Sequence, residues 1–152
     1  MNTQMKKTPI LLFIVALLLM FSACGAKEGS RIFVHEEGGI NNEIEYIYKG
    51  DKVTQVNVIT EMDYDVLGYN DKEEAEEDLS DFMEFYQGID GMTQEMEFAE
   101  DKLTELLSVN YNEVDLSDTE GIPGLEGVED GKNGISMKKT ADQLIDSGYT
   151  EE

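Results

Sequence analysis

The spacing of apolar and polar positions changes several times along this chain, and each change marks an element. Ile10 to Phe21, ILLFIVALLLMF, carries no charged or polar side chain. Arg31 to Glu37, RIFVHEE, predicts a first strand, and Gly38 to Asn42 predicts the turn after it. In EIEYIYK, Ile44, Tyr46 and Tyr48 alternate with Glu43, Glu45 and Lys49, and Ile47 breaks the pattern. A period of two with a charged outer face describes a half-buried strand. Gly50 and Asp51 separate this run from KVTQVNVITEM, in which Val56, Val58, Thr60 and Met62 share a face. Two residues between two strand-like runs predict a hairpin.

The period then lengthens. In NDKEEAEEDLSDFMEFYQG, Ala75, Leu79, Phe82 and Tyr86 form one helical stripe, with Asn70 or Asp71 as cap, acids in the first turn and Gly88 as the stop. Met92, Gln94, Met96 and Phe98 alternate with Thr93, Glu95 and Glu97 and predict another strand. Lys102 to Tyr111 reads as a strand through Leu103, Leu107, Val109 and Tyr111, although Glu105 is out of place on that face. Asp115 to Gly134 is a Gly- and acid-rich loop. The last element, SMKKTADQLIDSGY, has Ser136 as N-cap, a stripe of Met137, Ala141, Leu144 and Ile145, and Gly148 as the stop. The predicted fold class is α+β, an antiparallel sheet with two helices packed on one face, in the order βββαββα.

Charge alters the picture next. The 152 residues include 34 acidic and 11 basic side chains, a formal charge of −23. Such a balance argues against nucleic acid, which needs a basic face, and against docking on anionic lipid through a polybasic patch. At the N-terminus, Lys6 and Lys7 precede the apolar run, and the small residues Ser22 and Ala23 follow it. This is the layout of a secretory signal. Twelve helical residues reach only about 18 Å, short of a hydrocarbon core of roughly 30 Å, so the run is too short to span comfortably.

The only cysteine, Cys24, stands at the end of that signal. Phe21-Ser22-Ala23-Cys24 resembles the lipobox of bacterial lipoproteins, with Phe21 where leucine is commonest. The resemblance implies cleavage between Ala23 and Cys24 and a lipid attached to the Cys24 thiol. One acyl chain holds a protein to a membrane only marginally, while two or more anchor it stably. The other uses of a thiol fit less well: a disulfide lacks a partner, a zinc site lacks ligands, and a catalytic thiol lacks an activating base nearby. The chain thus divides into a signal peptide over 1–23, a lipidated Cys24 with a short tether to residue 30, and one domain over 31–152. The mature chain keeps all 34 acids and loses Lys6 and Lys7, giving 9 − 34 = −25. A six-residue tether reaches about 20 Å. The domain must therefore sit close to the membrane, where its negative charge should hold it off anionic headgroups.

The lipobox, YIYKGDKV at Tyr46 to Val53, and GISMKKTADQLIDSGY at Gly134 to Tyr149 together resemble the YehR-like family of small bacterial lipoproteins. The resemblance runs through the whole mature chain and implies an α+β fold, a lipid-anchored address and no known catalytic residue.

The search for chemistry is mostly negative. His35 is the single histidine and reads as structural. GIPGLEG lacks the lysine and helix start of a phosphate loop. Asp63, Asp65, Gly68 and Glu74 match part of a calcium-binding EF-hand loop, but Leu67 takes a ligand position and the preceding run is a strand. The sequence predicts no catalytic residue, no metal and no cofactor. It predicts a monomeric, non-enzymatic lipoprotein on the extracytoplasmic face of a bacterial membrane, held through lipid on Cys24, that binds an envelope protein or a small ligand. The alternative is a hydrolase whose site is assembled from distant carboxylates.

Overall fold

The computed structural model describes residues 26–84, 87–115 and 134–152. Six strands form one sheet: β1 (Glu28–Glu37), β2 (Ile40–Lys49), β3 (Lys52–Asp63), β4 (Met92–Phe98), β5 (Lys102–Asn110) and β6 (Thr150–Glu151). The helices are α1 (Tyr64–Leu67), α2 (Lys72–Glu84) and α3 (Met137–Asp146). The strand order is β4-β5-β3-β2-β1-β6, and every pairing is antiparallel. The fold is α+β.

The element order departs from the predicted βββαββα by the short α1 and by β6. Neither has a legible period, because one is four residues long and the other two. Residues 28–30, expected within the tether, belong to β1, where Glu28 pairs with Lys49 and Ser30 with Ile47. The first turn is also shorter than predicted. Gly38 and Gly39 have φ of 61° and 85°, the double left-handed conformation of a two-residue hairpin turn. Two glycines close the loop, so Ile40, Asn41 and Asn42 join β2 and pair with Met62, Glu61 and Thr60.

A bulge in the next hairpin explains how Val53 and Val56, three residues apart, reach one face. Ile47 pairs with Gln55 and Tyr48 with Val53, so Thr54 is the extra residue. Its hydroxyl donates to the Ile47 carbonyl at 3.2 Å. The helix-bearing face then reads in rows across β2, β3, β5 and β4: Tyr46-Val56-Val109-Met92, Ile44-Val58-Leu107-Gln94 and Ile40-Met62-Leu103-Phe98. Ala75 and Leu79 of α2 pack with Tyr64, Leu103, Met62, Met96 and Phe98. Met137, Ala141 and Leu144 of α3 pack with Phe33, Val53, Tyr46 and Tyr48. Between these groups lies the cluster of Val56, Met92 and Val109. The Phe82 side chain and Tyr86, expected in the stripe of α2, lie outside the described residues.

Local sequence secures the helix ends. Asp71 accepts from the Glu74 backbone N–H at 3.0 Å, and the Glu74 carboxylate accepts from the Asn70 backbone and side-chain amides at 2.9 and 2.8 Å, a variant of the capping box. Ser136 accepts from the Lys139 N–H at 3.2 Å. At the other end of α3, Gly148 has φ of 95°, its N–H meets the Ile145 carbonyl, and the Tyr149 N–H meets the Leu144 carbonyl at 3.0 Å. That pair of bonds is a Schellman motif, and it aims Thr150 and Glu151 at the edge of β1.

Candidate functional site

Two regions stand out: the end of the sheet from which the N-terminal segment emerges, and the face opposite the helices. Cys24 and Ala23 lie outside the described residues, as do residues 1–22. The fold takes hold of the chain three residues after Cys24, where the Lys27 carbonyl accepts from the Gly50 N–H at 2.9 Å. The anchor position is therefore tied to the β2–β3 turn. Asp51 in that turn joins α3 to the sheet. Its carboxylate accepts from the Ser136 hydroxyl at 2.7 Å and from the Lys138 N–H at 2.9 Å, and its carbonyl accepts from the Met137 N–H at 2.8 Å. The Ser136 and Lys138 hydrogen bonds hold the Asp51 carboxyl below the usual aspartate range.

The second region is the sheet face away from the helices. Among the described residues, every fully buried apolar side chain lies in a helix or on the helix-bearing face. The other face carries Ile32, Val34, Ile47, Ile59 and Leu106, and Ile59 is 37% exposed. Ile47, which breaks the alternation of β2, is one of these outward residues. Beside them runs a polar network. Gln55 donates to Asn57 at 2.8 Å and to Ser108 at 3.2 Å, Ser108 donates to Asn57 at 2.8 Å, and Asn57 donates to Glu45 at 2.9 Å. Its members come from three strands, and only the register of β2, β3 and β5 brings them together. Toward β6 the same face dips into a shallow depression of about 390 Å³ lined by Val34, Glu36, Asn41 and Thr150, with His35 and Gly148 at its edge.

His35 is structural in its contacts. Its Nδ1 lies 3.2 Å from the Gly148 carbonyl, its Nε2 lies 3.4 Å from Glu37, and its ring stacks against Tyr149 with centroids 4.9 Å apart. Arg31 grips the C-terminal end of the chain through a two-pronged bond to Glu151 and lies over the Phe33 ring, 5.2 Å from its centroid. Hydrogen bonding from Arg31 holds the Glu151 carboxyl low. Burial pushes Tyr46 up to about 12 and raises Tyr111 and Tyr149. Glu105, out of place in the sequence pattern, lies on the helix-bearing face and accepts from Gln94 Nε2 at 2.5 Å. Among the described residues, the buried Oε1 atom of Gln94 has no partner.

Asp63, Asp65, Gly68 and Glu74 do not come together as a calcium loop. Asp63 ends β3, Asp65 lies in α1, Gly68 caps that helix, and Glu74 is engaged by Asn70. Among the described residues no group of three or more His, Cys, Asp or Glu side chains is placed to hold a metal ion, and no helix is long and apolar enough to cross a membrane.

A small α+β domain on one antiparallel sheet, with a lone cysteine ahead of it in the chain, defines the class of protein. The chain belongs to the family described as "Protein of unknown function (DUF1307)", whose model matches residues 29–150. It is 37% identical over 148 residues to the uncharacterized lipoprotein Lmo0207 of Listeria monocytogenes, with 97% of each chain covered. It is 30% identical to the uncharacterized lipoprotein YehR of Escherichia coli, covering 91% of this chain and 92% of YehR. The NMR structure of the E. coli YehR protein superposes with a TM-score of 0.71 at 29% identity, over 84% of this chain and 92% of that one. An NMR structure of a protein from Streptococcus pneumoniae shares the fold, with a TM-score of 0.62 at 15% identity, covering 100% of this chain and 96% of that one.

Proposed function

We propose that this protein is a lipoprotein of the extracytoplasmic face of a bacterial membrane. It is cleaved between Ala23 and Cys24 and anchored by lipid on the Cys24 thiol. Its domain works as a monomeric, non-enzymatic module that binds a partner in the envelope. The position of Cys24 carries this reading: the thiol follows an apolar run with small residues before it, and it lies three residues from Lys27, where the fold begins to hold the chain. The lipoprotein names of the relatives support it, over alignments that span 97% of this chain in the Listeria case.

A binding role draws on the sheet face away from the helices. The outward row Val34-Glu43-Ile59-Leu106, next to the Gln55–Asn57–Ser108 network, mixes apolar side chains with charged and fixed polar groups, the composition of a recognition surface.

The test is Cys24→Ala in the full-length chain. Wild type is expected to incorporate a fatty-acid analogue and to run at the processed size, and the variant to remain an unlabelled precursor. Protease added to intact protoplasts should degrade the anchored domain while a cytosolic marker survives. Equal labelling of the two proteins, or a domain protected from external protease, would rule the reading out.

A further inference from the structure

We infer that the sheet face away from the helices takes a basic amphipathic polypeptide, whose lysine or arginine side chains pair with Glu43, Glu45 and Glu95 while its apolar side chains cover Ile59 and Leu106. The inference rests on the reading of this face as a recognition surface and names the chemistry of what it recognises. Register sets carboxylates directly opposite apolar side chains across the strands. Glu43 stands between Val34 and Ile59, Glu45 opposite Ile32, and Glu95 opposite Leu106. Of the outward apolar side chains named above, Ile47 alone lacks such a neighbour, lying between Ser30 and Gln55. Glu43 and Glu95 are exposed, and Glu45 is held in place by Asn57 at 2.9 Å.

These acids have no cation of their own. Among the described residues none of Glu36, Glu43, Glu45 and Glu95 lies in an ion pair. The charged neighbours of Glu43 on the face are Glu45 along β2 and Glu36 and Glu61 on the diagonals, and like charges at such spacing repel. The lysines that register puts on this face, Lys49, Lys52 and Lys102, stand at its ends. Lys49 is engaged by Glu28 at 3.0 Å and Lys102 by Glu61 at 2.9 Å, and the Lys52 methylenes lie against Gly134. Asp63 and Glu97 add charge of the same sign, and the stretch over 116–133 carries five acids against one lysine. A second copy of this chain would set acid against acid, whereas a basic partner turns the repulsion into attraction and is drawn in by the field of the whole chain. The face also holds a place for one basic side chain. Thr150 lies opposite Val34, and the depression of about 390 Å³ beside them is lined by Glu36 and Asn41, whose side-chain oxygens accept what a lysine or arginine donates.

The test uses the mature lipoprotein in phosphatidylcholine nanodiscs, with empty nanodiscs as reference, and a fluorescent peptide of alternating lysine and leucine as probe. At about 0.15 M salt, where the Debye length is about 8 Å, the peptide should bind by fluorescence anisotropy. A zero-length carbodiimide should link its lysines to Glu36, Glu43, Glu45 and Glu95, read by mass spectrometry. Glu43→Gln with Glu45→Gln should weaken binding about tenfold, and Ile59→Ser several-fold. Glu73→Gln with Glu77→Gln removes the same charge from exposed positions of α2 and should change binding by less than about twofold. The cross-links are read on the unaltered chain, so the outcome does not depend on how the variants fold. Cross-links spread alike over α2 and the sheet face, with both double variants weakened equally, would overturn the inference. Binding of a glutamate–leucine peptide in place of the lysine one, lost in Ile59→Ser, would overturn the basic partner and leave the face a recognition surface. Binding of neither peptide would overturn both.

Discussion

Asp51 and Ser136 are 85 residues apart in sequence, and their side chains meet at 2.7 Å. Through this contact the β2–β3 turn supplies a second cap to α3, beside the one Ser136 makes to Lys139. Losing Ser136 should cost about 1 kcal/mol, the usual value of an N-cap hydroxyl. Asp51→Asn should lower the melting temperature at neutral pH by several degrees. The Asp51 carboxyl is depressed in the fold from its ordinary value of 3.8. Its contribution is therefore complete above that value and is lost as pH falls through the lowered one. Thermal melts of wild type and Asp51→Asn should differ at neutral pH and converge in strong acid.

Gln94 and Glu105 lead to a stabilising substitution. The carboxylate accepts from Gln94 Nε2, while the buried Gln94 Oε1 has no donor among the described residues. Glu105→Gln supplies a donor to that oxygen and can keep the existing bond through its own carbonyl. An added buried hydrogen bond with relief of an orphaned acceptor is worth about 1 kcal/mol. The variant should raise the denaturation midpoint without changing the slope, whereas Glu105→Ala should lower it.

Two glycines of similar backbone should respond differently to alanine. Gly91 and Gly88 have φ of 81° and 83°. A Cβ on Gly91 would meet the Val114 nitrogen at 2.6 Å and the Asn110 carbonyl at 3.0 Å, and one on Gly88 would meet nothing within 4 Å among the described residues. Gly88→Ala should cost about 1 kcal/mol of left-handed strain. Gly91→Ala adds a backbone collision and should cost about 2–4 kcal/mol, read from chemical denaturation of the two proteins side by side.

Calcium should behave as a diffuse counterion. With a mature formal charge of −25, it should raise the melting temperature modestly at low ionic strength. The increment should largely vanish at about 0.15 M salt, where the Debye length is about 8 Å. Asp63→Asn should change little. A salt-resistant shift abolished by Asp63→Asn or Glu74→Gln would show a dedicated site.

Local sequence determined the elements whose physics is local. The alternation of Ile44, Tyr46 and Tyr48, the stripe of Ala75 and Leu79, the Asp71 and Ser136 caps and the Gly148 stop each need only a few neighbouring residues, and each is found in the fold. The N-terminal run and Cys24 are likewise legible as a pattern. Tertiary structure decided what depends on register and on which ends of distant segments meet. The bulge at Thr54 sets Val53 beside Val56, and β6 exists because Tyr149 turns the chain onto the edge of β1. The Gln55–Asn57–Ser108 network needs strands more than fifty residues apart in sequence. The Asp51–Ser136 contact is of the same kind, because it forms only when the β2–β3 turn and the first turn of α3 close on one another.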